Sequence, residues 1–247
     1  MLAKRKISHS QVGTSDWGDI TNELNSAVLA IDKIHVPAGG RASIDPFDWT
    51  RIVRAGDEVT LSEEQQWKLY LEYVQRNIGA VLTKKKLCVL GVDKKSLLLN
   101  VNVPGRKGRD IEFSGTTDLL ILGDIVKKDP SSVPLLPGVQ MLIEVKEEVK
   151  PRSNFQALSE LVALDLRTKN PVMALLTDFN ESWVFYWVAE KKNESVVIHR
   201  AFIDNPSEGF QVIRMILDKS SAGIDAPQIE LSYFEHPVNG DFPRSRR

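Results

Sequence analysis

Residues 141–148 read MLIEVKEE, and the run Met141, Leu142, Ile143, Val145 is apolar except where Glu144 and Lys146 enter it. Aliphatic and β-branched residues in so short a run predict a strand, whose side chains alternate between two faces. Leu142, Glu144 and Lys146 then share one face, and Met141, Ile143 and Val145 share the other. Apolar residues on both faces mark a central strand covered on both sides. A charge there is expensive unless paired or metal-bound, so the carboxylate and the amine are expected to be neighbours for a reason. Judged on this segment alone, the competing reading is an idle ion pair on an edge or half-exposed strand.

A second acid interrupts an apolar strand upstream. In GTTDLLILG, residues 115–123, Asp118 falls on the same face as Leu120 and Leu122. The polar, proline-rich connection DPSSVPLLPG at 129–138 allows the two strands to be adjacent. Two carboxylates facing each other from neighbouring strands repel unless a cation lies between them. Oxygen-only ligands favour Mg²⁺ or Mn²⁺ over zinc, and the four histidines, His9, His35, His199 and His236, are too scattered for a zinc cluster. With the Lys146 amine beside such a metal, the group has the parts for phosphodiester hydrolysis. The metal would activate water and neutralise developing charge, and the ammonium would orient or polarise the nucleophile.

The surrounding elements are readable from periodicity. Ser62 and Gln65 form a capping box, and Trp67, Tyr70, Leu71, Val74, Ile78, Val81 and Leu82 repeat at helical spacing, predicting a helix over 62–82. KLCVLGV (86–92), LLLNVNV (97–103) and GTTDLLILG follow as a hairpin or meander. A second helix starts near Ser153, with Phe155, Leu158, Val162 and Leu166 as one seam and Leu161 and Leu164 widening it, so that it packs on two sides. PVMALLTDF (171–179), SWVFYWVAE (182–190) and SVVIHRAF (195–202) read as strands before a closing helix over 207–219. The order helix, meander, strand, helix, strand predicts an α/β fold, a mixed sheet flanked by helices. The boundaries are an N-terminal extension over 1–45, one domain over 46–220 and a C-terminal tail over 221–247. Residues 1–45 show only a weak helical stripe through Ile20, Leu24, Ala27, Val28 and Ile31.

Composition excludes several classes. At 247 residues, 42% hydrophobic and 26% charged, the chain is an ordinary globular one. No apolar run approaches the ~20 residues of a bilayer span, and no membrane partner is expected. The single cysteine, Cys88, excludes a disulfide framework and reads as a packed apolar residue. MLAKRKISHS is basic but lacks the apolar stretch of a secretory signal, which points to an intracellular protein. A net charge of −1 gives no global argument for nucleic acid, although the KRK (4–6), KKK (84–86), RKGR (106–109) and RSRR (244–247) runs are local positive patches.

TTDLLIL, LIEVK and NFQALSELVAL together resemble the PD-(D/E)XK nuclease superfamily, which has the restriction-endonuclease-like fold with an αβββαβ core. The resemblance covers roughly residues 60–190. It puts the family's aspartate on Asp118, its acidic residue on Glu144 and its lysine on Lys146, while Thr117 stands where the naming proline would be. It implies Mg²⁺ or Mn²⁺ held by Asp118 and Glu144, helped by Glu64 and the Val145 carbonyl, with Lys146 positioning water. Glu64 on the first helix has Glu63 and Glu72 as competitors. Gln156 matches a glutamine that several members place on the helix after the lysine strand, where it would support the nucleophile or a phosphate. The competing role is the Ser153–Gln156 capping box. Glu160 and Arg167 share its flank and read as solvated helix residues that could border a substrate groove.

More narrowly, QALSELVALDLRTKNPVMALLTDFNESWVFYW (156–187) looks like the C-terminal nuclease-type modules of Crinkler effector-like proteins. That resemblance implies a DNA target in a host cell or its nucleus. The function expected is a metal-dependent nuclease, on DNA ahead of RNA, with an inactive nuclease-fold effector or binding module as the alternative. Phosphate contacts are expected from RKGR, Lys127, Lys128, Lys150 and Arg152, and the oligomeric state is open, a dimer included. Trp183, Phe185, Tyr186 and Trp187 could stack on bases, but aromatic residues crowded into one strand more often pack a core.

Overall fold

The computed structural model describes residues 5–24, 26–30, 43–54, 57–103, 110–192 and 195–219. The RKGR run, the RSRR run and the tail over 221–247 lie outside the described residues. In chain order the elements are β1 (Arg5–Ser8), α1 (Thr14–Leu24), β2 (Ser26–Ala30), β3 (Arg51–Arg54), β4 (Asp57–Thr60), α2 (Glu63–Lys85), β5 (Leu87–Gly91), β6 (Val101–Val103), β7 (Ile111–Ser114), β8 (Leu119–Gly123), β9 (Met141–Val145), α3 (Pro151–Arg167), β10 (Met173–Thr177), β11 (Trp183–Lys192), β12 (Ser195–Ile203) and α4 (Pro206–Lys219). The chain is mixed α/β, as its periodicities predict.

A seven-stranded sheet in the order β2-β12-β11-β10-β9-β8-β5 organises the molecule. β9 runs parallel to β10 and β2 parallel to β12, and the remaining neighbours are antiparallel. β9 is interior and all five of its residues are buried, so the idle pair on a half-exposed strand does not apply. Its alternation is the one expected. Met141, Ile143 and Val145 join the core under α2 and α4, and Leu142 joins the core under α3 and α1. Burying each of those three aliphatic side chains contributes about 1.5–3 kcal/mol, enough to offset the several kcal/mol that one buried ion pair costs.

α2 begins where its capping box says. Ser62 Oγ accepts from the Gln65 N–H at 3.3 Å, and the Ser62 N–H donates to Gln65 Oε1 at 3.0 Å. The helix runs three residues past Leu82 and stops at Lys86, whose φ of 53° lies in the left-handed region and whose N–H caps Leu82 and Thr83. The aromatic strand β11 settles its two readings in favour of packing: Trp183, Phe185, Tyr186 and Trp187 are all buried. Trp183 meets Phe210 of α4 edge to face at 4.9 Å.

The N-terminal region differs from expectation. The weak helical stripe breaks at Leu24, and Ala27 and Val28 lie in β2, which adds to the sheet edge beside β12. β1 pairs parallel with β7 in a separate three-stranded sheet, and Val12 and Ile20 are wholly buried. Ile7, Val12, Trp17 and Ile20 therefore supply core to the domain, packed with residues from far along the chain. In LLLNVNV only Val101–Val103 is strand, while Leu98 and Leu99 are buried in the turn before it.

Candidate functional site

The antiparallel register pairs Leu119 with Ile143 and Leu120 with Leu142, and one residue further it sets Asp118 opposite Glu144. Asp118 is anchored by the strand beside it, for its Oδ2 accepts the Val145 N–H at 2.9 Å. Val145 thus enters the site through its amide. Thr117, at the place of the family's proline, donates its hydroxyl to the Ile143 carbonyl at 3.2 Å and stitches β8 to β9, a bond proline could not make.

Lys146 follows β9 and turns back on Glu144, with Nζ at 2.6 Å from Oε1. Its ammonium also lies 3.4 Å from Glu63 Oε2, and the other Glu63 oxygen accepts the Glu147 N–H at 3.2 Å. The first-helix acid that reaches the lysine is therefore Glu63. Glu64, one residue on, is exposed on α2, as is Glu72. A helix turns ~100° per residue, so adjacent glutamates cannot both face the sheet. Glu64 still adds to the negative field that, after burial, raises the buried Tyr70 phenol together with Asp118, Glu144 and Glu63.

Gln156 does not serve as a cap. α3 starts at Pro151, two residues before Ser153, and the Lys150 N–H donates to Ser153 Oγ at 3.4 Å. The Gln156 amide nitrogen is left to donate to Glu144 Oε1 at 2.5 Å and to Glu160 Oε1 at 2.9 Å. Glu160 is correspondingly not a solvated helix residue. It is fully buried, with Oε2 lacking a hydrogen-bond partner among the described residues. Arg167, near the C-terminus of α3, bonds the Asn100 and Pro134 carbonyls instead.

A lysine that sequence reasoning missed completes the group. Lys94 Nζ stands 2.7 Å from Asp118 Oδ1. Spacing contains no signal for it, since Asp93–Lys95 reads only as a turn.

Four acids, Asp118, Glu144, Glu160 and Glu63, thus surround two ammoniums. Burial pushes the Glu144 carboxyl up to about 7, with Asp118 adding to the effect and Lys146 opposing it. Burial likewise raises Glu160 well above the usual carboxylate range, reinforced by Glu144. Burial works against the charge on Lys146, but Glu144, Asp118 and Glu63 outweigh it and keep the ammonium. Were all four acids ionised they would outnumber the ammoniums by two, and holding Glu160 and Glu144 towards their neutral forms relieves that excess. No group of three or more His, Cys, Asp or Glu side chains suited to a metal is present among the described residues. Two carboxylates do fit Mg²⁺, which keeps several waters and takes one or two protein carboxylates plus substrate phosphates.

The other expected cations divide. Lys150 and Arg152 lie at the N-terminus of α3, on the Lys146 side, where Lys150 pairs with Glu148 at 3.2 Å and Arg152 bonds the Gln11 carbonyl at 3.1 Å. Lys127 and Lys128 follow the far end of β8, about 17 Å from Asp118 at strand rise. They do not border this site.

No family model matches the chain. Crinkler effector protein 63 of Phytophthora sojae (strain P6497) is 49% identical over 242 residues, 96% of this chain and 53% of that protein. Crinkler effector protein 161 of the same organism is 45% identical over 95% of this chain and 50% of its own length. Crinkler effector protein 2 of Phytophthora infestans is 42% identical over 96% of this chain and 50% of its own length. The chain spans about half the length of the curated relatives it matches. Along nearly all of its length, it is similar to Crinkler effector proteins.

Proposed function

We propose that the chain is a metal-dependent nuclease domain that hydrolyses phosphodiester bonds, DNA ahead of RNA, within an effector acting inside host cells, the nucleus included. The observation that carries this reading is the convergence of Asp118, Glu144 and Lys146 at one end of β8 and β9. The run α2, β5, β8, β9, α3, β10 supports the restriction-endonuclease-like αβββαβ order, with β6 and β7 inserted into a separate sheet. Asp118 and Glu144 would hold Mg²⁺ or Mn²⁺, which supplies a Lewis acid for the phosphate and a lowered pKa for its water. Lys146 holds a positive charge next to Glu144 and orients the attacking water. Gln156 fixes the Glu144 carboxylate, and Glu63 holds Lys146 from the helix side. Lys150 and Arg152 would contact the backbone, a sequence-independent and salt-sensitive attachment.

A second reading, a nuclease-fold effector that binds without cutting, is favoured by one feature: both central carboxylates are already paired with lysines. Incubating the purified chain with plasmid, linear duplex, single strands and RNA, in Mg²⁺, Mn²⁺ or EDTA, separates the readings. Cleavage that needs the metal and disappears in Asp118→Ala and Lys146→Ala, with folding intact by circular dichroism, supports the first. Cleavage unaffected by both substitutions rejects the site.

A further inference from the structure

The two ammoniums of the cluster are held differently. Lys146 has 19% of its side chain exposed and bonds two acids, Glu144 and Glu63. Lys94 has 51% of its side chain exposed and meets an Asp118 side chain that is 0% exposed. The two Asp118 oxygens are also unequal. Oδ2 is committed to the Val145 backbone amide, and Oδ1, the oxygen that Lys94 holds, is the one that can change partners.

We propose that Lys94 is a displaceable counter-ion: it neutralises Asp118 until a divalent cation takes the same oxygen, so that the Lys94–Asp118 pair and the bound cation exclude each other. This rests on Asp118 and Glu144 being the cation site of the reading above. Without Lys94, the metal-free protein would carry Asp118 as a buried carboxylate with no ammonium bonded to it, which is costly. With a divalent ion on Oδ1, an ammonium on the same oxygen would face strong like-charge repulsion. The local backbone suits a side chain that swings alone. Asp93 pins the turn through the Lys95 N–H, 2.7 Å from its Oδ1, and the Ser96 N–H, 2.8 Å from its carbonyl. Lys94 can therefore leave by rotamer change into solvent, a fast and inexpensive motion for a half-exposed side chain. Lys146 cannot leave without stripping both Glu144 and Glu63.

Calorimetric titration of Mn²⁺ into the full chain tests this, with wild type, Lys94→Met, Lys94→Gln and Asp118→Asn compared, and melting in EDTA recorded for each. Removing the competing ammonium is expected to tighten Mn²⁺ binding by about 1.5-fold to fivefold in both Lys94 variants, the range a partly exposed ion pair is worth. Their melting temperature is expected to fall in EDTA and to recover with Mn²⁺ more than that of wild type. Binding that needs Asp118 but is equal or weaker in the Lys94 variants overturns the role of Lys94 and leaves the cation site standing. Absence of Asp118-dependent binding in every variant overturns both.

Discussion

Glu144→Gln is expected to stabilise the metal-free protein while abolishing cleavage. The carboxyl is wholly buried and is pushed from the ordinary 4.5 up to about 7. Its folded form therefore binds a proton more tightly than its unfolded form, and the sign is opposite to that of a salt-bridged surface acid. Stability from this group is fully present below 4.5, declines as pH rises towards 7, and is flat above. Roughly 2.5 decades of proton affinity at 1.36 kcal/mol each correspond to about 3 kcal/mol of strain at pH 8. Glutamine keeps a carbonyl oxygen to accept from Lys146 Nζ and Gln156 Nε2, bonds now made at 2.6 and 2.5 Å. It sheds the buried charge. The net gain should be about 1–3 kcal/mol, because the charge-assisted part of the Lys146 bond is lost. Urea unfolding in EDTA at half-unit steps from pH 4.5 to 8.5 measures it. The variant should match wild type near pH 4.5 and pull ahead as pH rises. A variant equal to or less stable than wild type at pH 8 would refute the claim that this acid is held against its own solvation.

Other consequences reach beyond that residue. His9 is buried between Ser159 Oγ at 2.9 Å and the Leu99 carbonyl at 3.2 Å, and burial lowers its pKa from 6.5 to about 4. Stability is therefore present above pH 6.5 and lost as pH falls towards 4, by about 3 kcal/mol at most. His9→Asn should flatten that slope in urea titrations. Gly209→Ala would put a Cβ closer than 3.0 Å to the buried Trp183 indole. Overpacking of about 1–3 kcal/mol should outweigh the ~1 kcal/mol that alanine adds to a helix, and a raised melting temperature would contradict this packing. Gln156→Leu takes the amide donor from Glu144 and Glu160 together and should cost about 1–3 kcal/mol at pH 8, where Glu144 is charged. The loss should be smaller at pH 5, where the acids are protonated, and a pH-independent loss would assign Gln156 to packing alone.

Local chemistry carried the reading wherever periodicity or a cap was at stake. The Ser62–Gln65 box and the stripe through Tyr70, Val74, Ile78 and Val81 determine α2, since capping and one buried face act within a few residues. Alternation along MLIEV determined that Glu144 would face away from Ile143 and Val145, and Lys146, just past the strand end, turns back to that carboxylate. Acids inside apolar strands marked Asp118 and Glu144 as a pair through the cost of burying charge.

Contacts between distant segments were beyond that reach. Glu63 and Glu64 are equivalent in sequence, and only the rotation of α2 against β9 turns Glu63 towards Lys146. Ser153 and Gln156 spell a capping box, yet Pro151 starts the helix earlier and frees Gln156 for Glu144. Lys94 meets Asp118 across 24 residues, and β2 finds β12 across more than 160. Sequence alone determined which residues could not stand comfortably in water or in oil, because solvation and backbone period are properties of a segment. Tertiary structure decided which of them meet, because the orientation of one element against another is set by packing of the whole core.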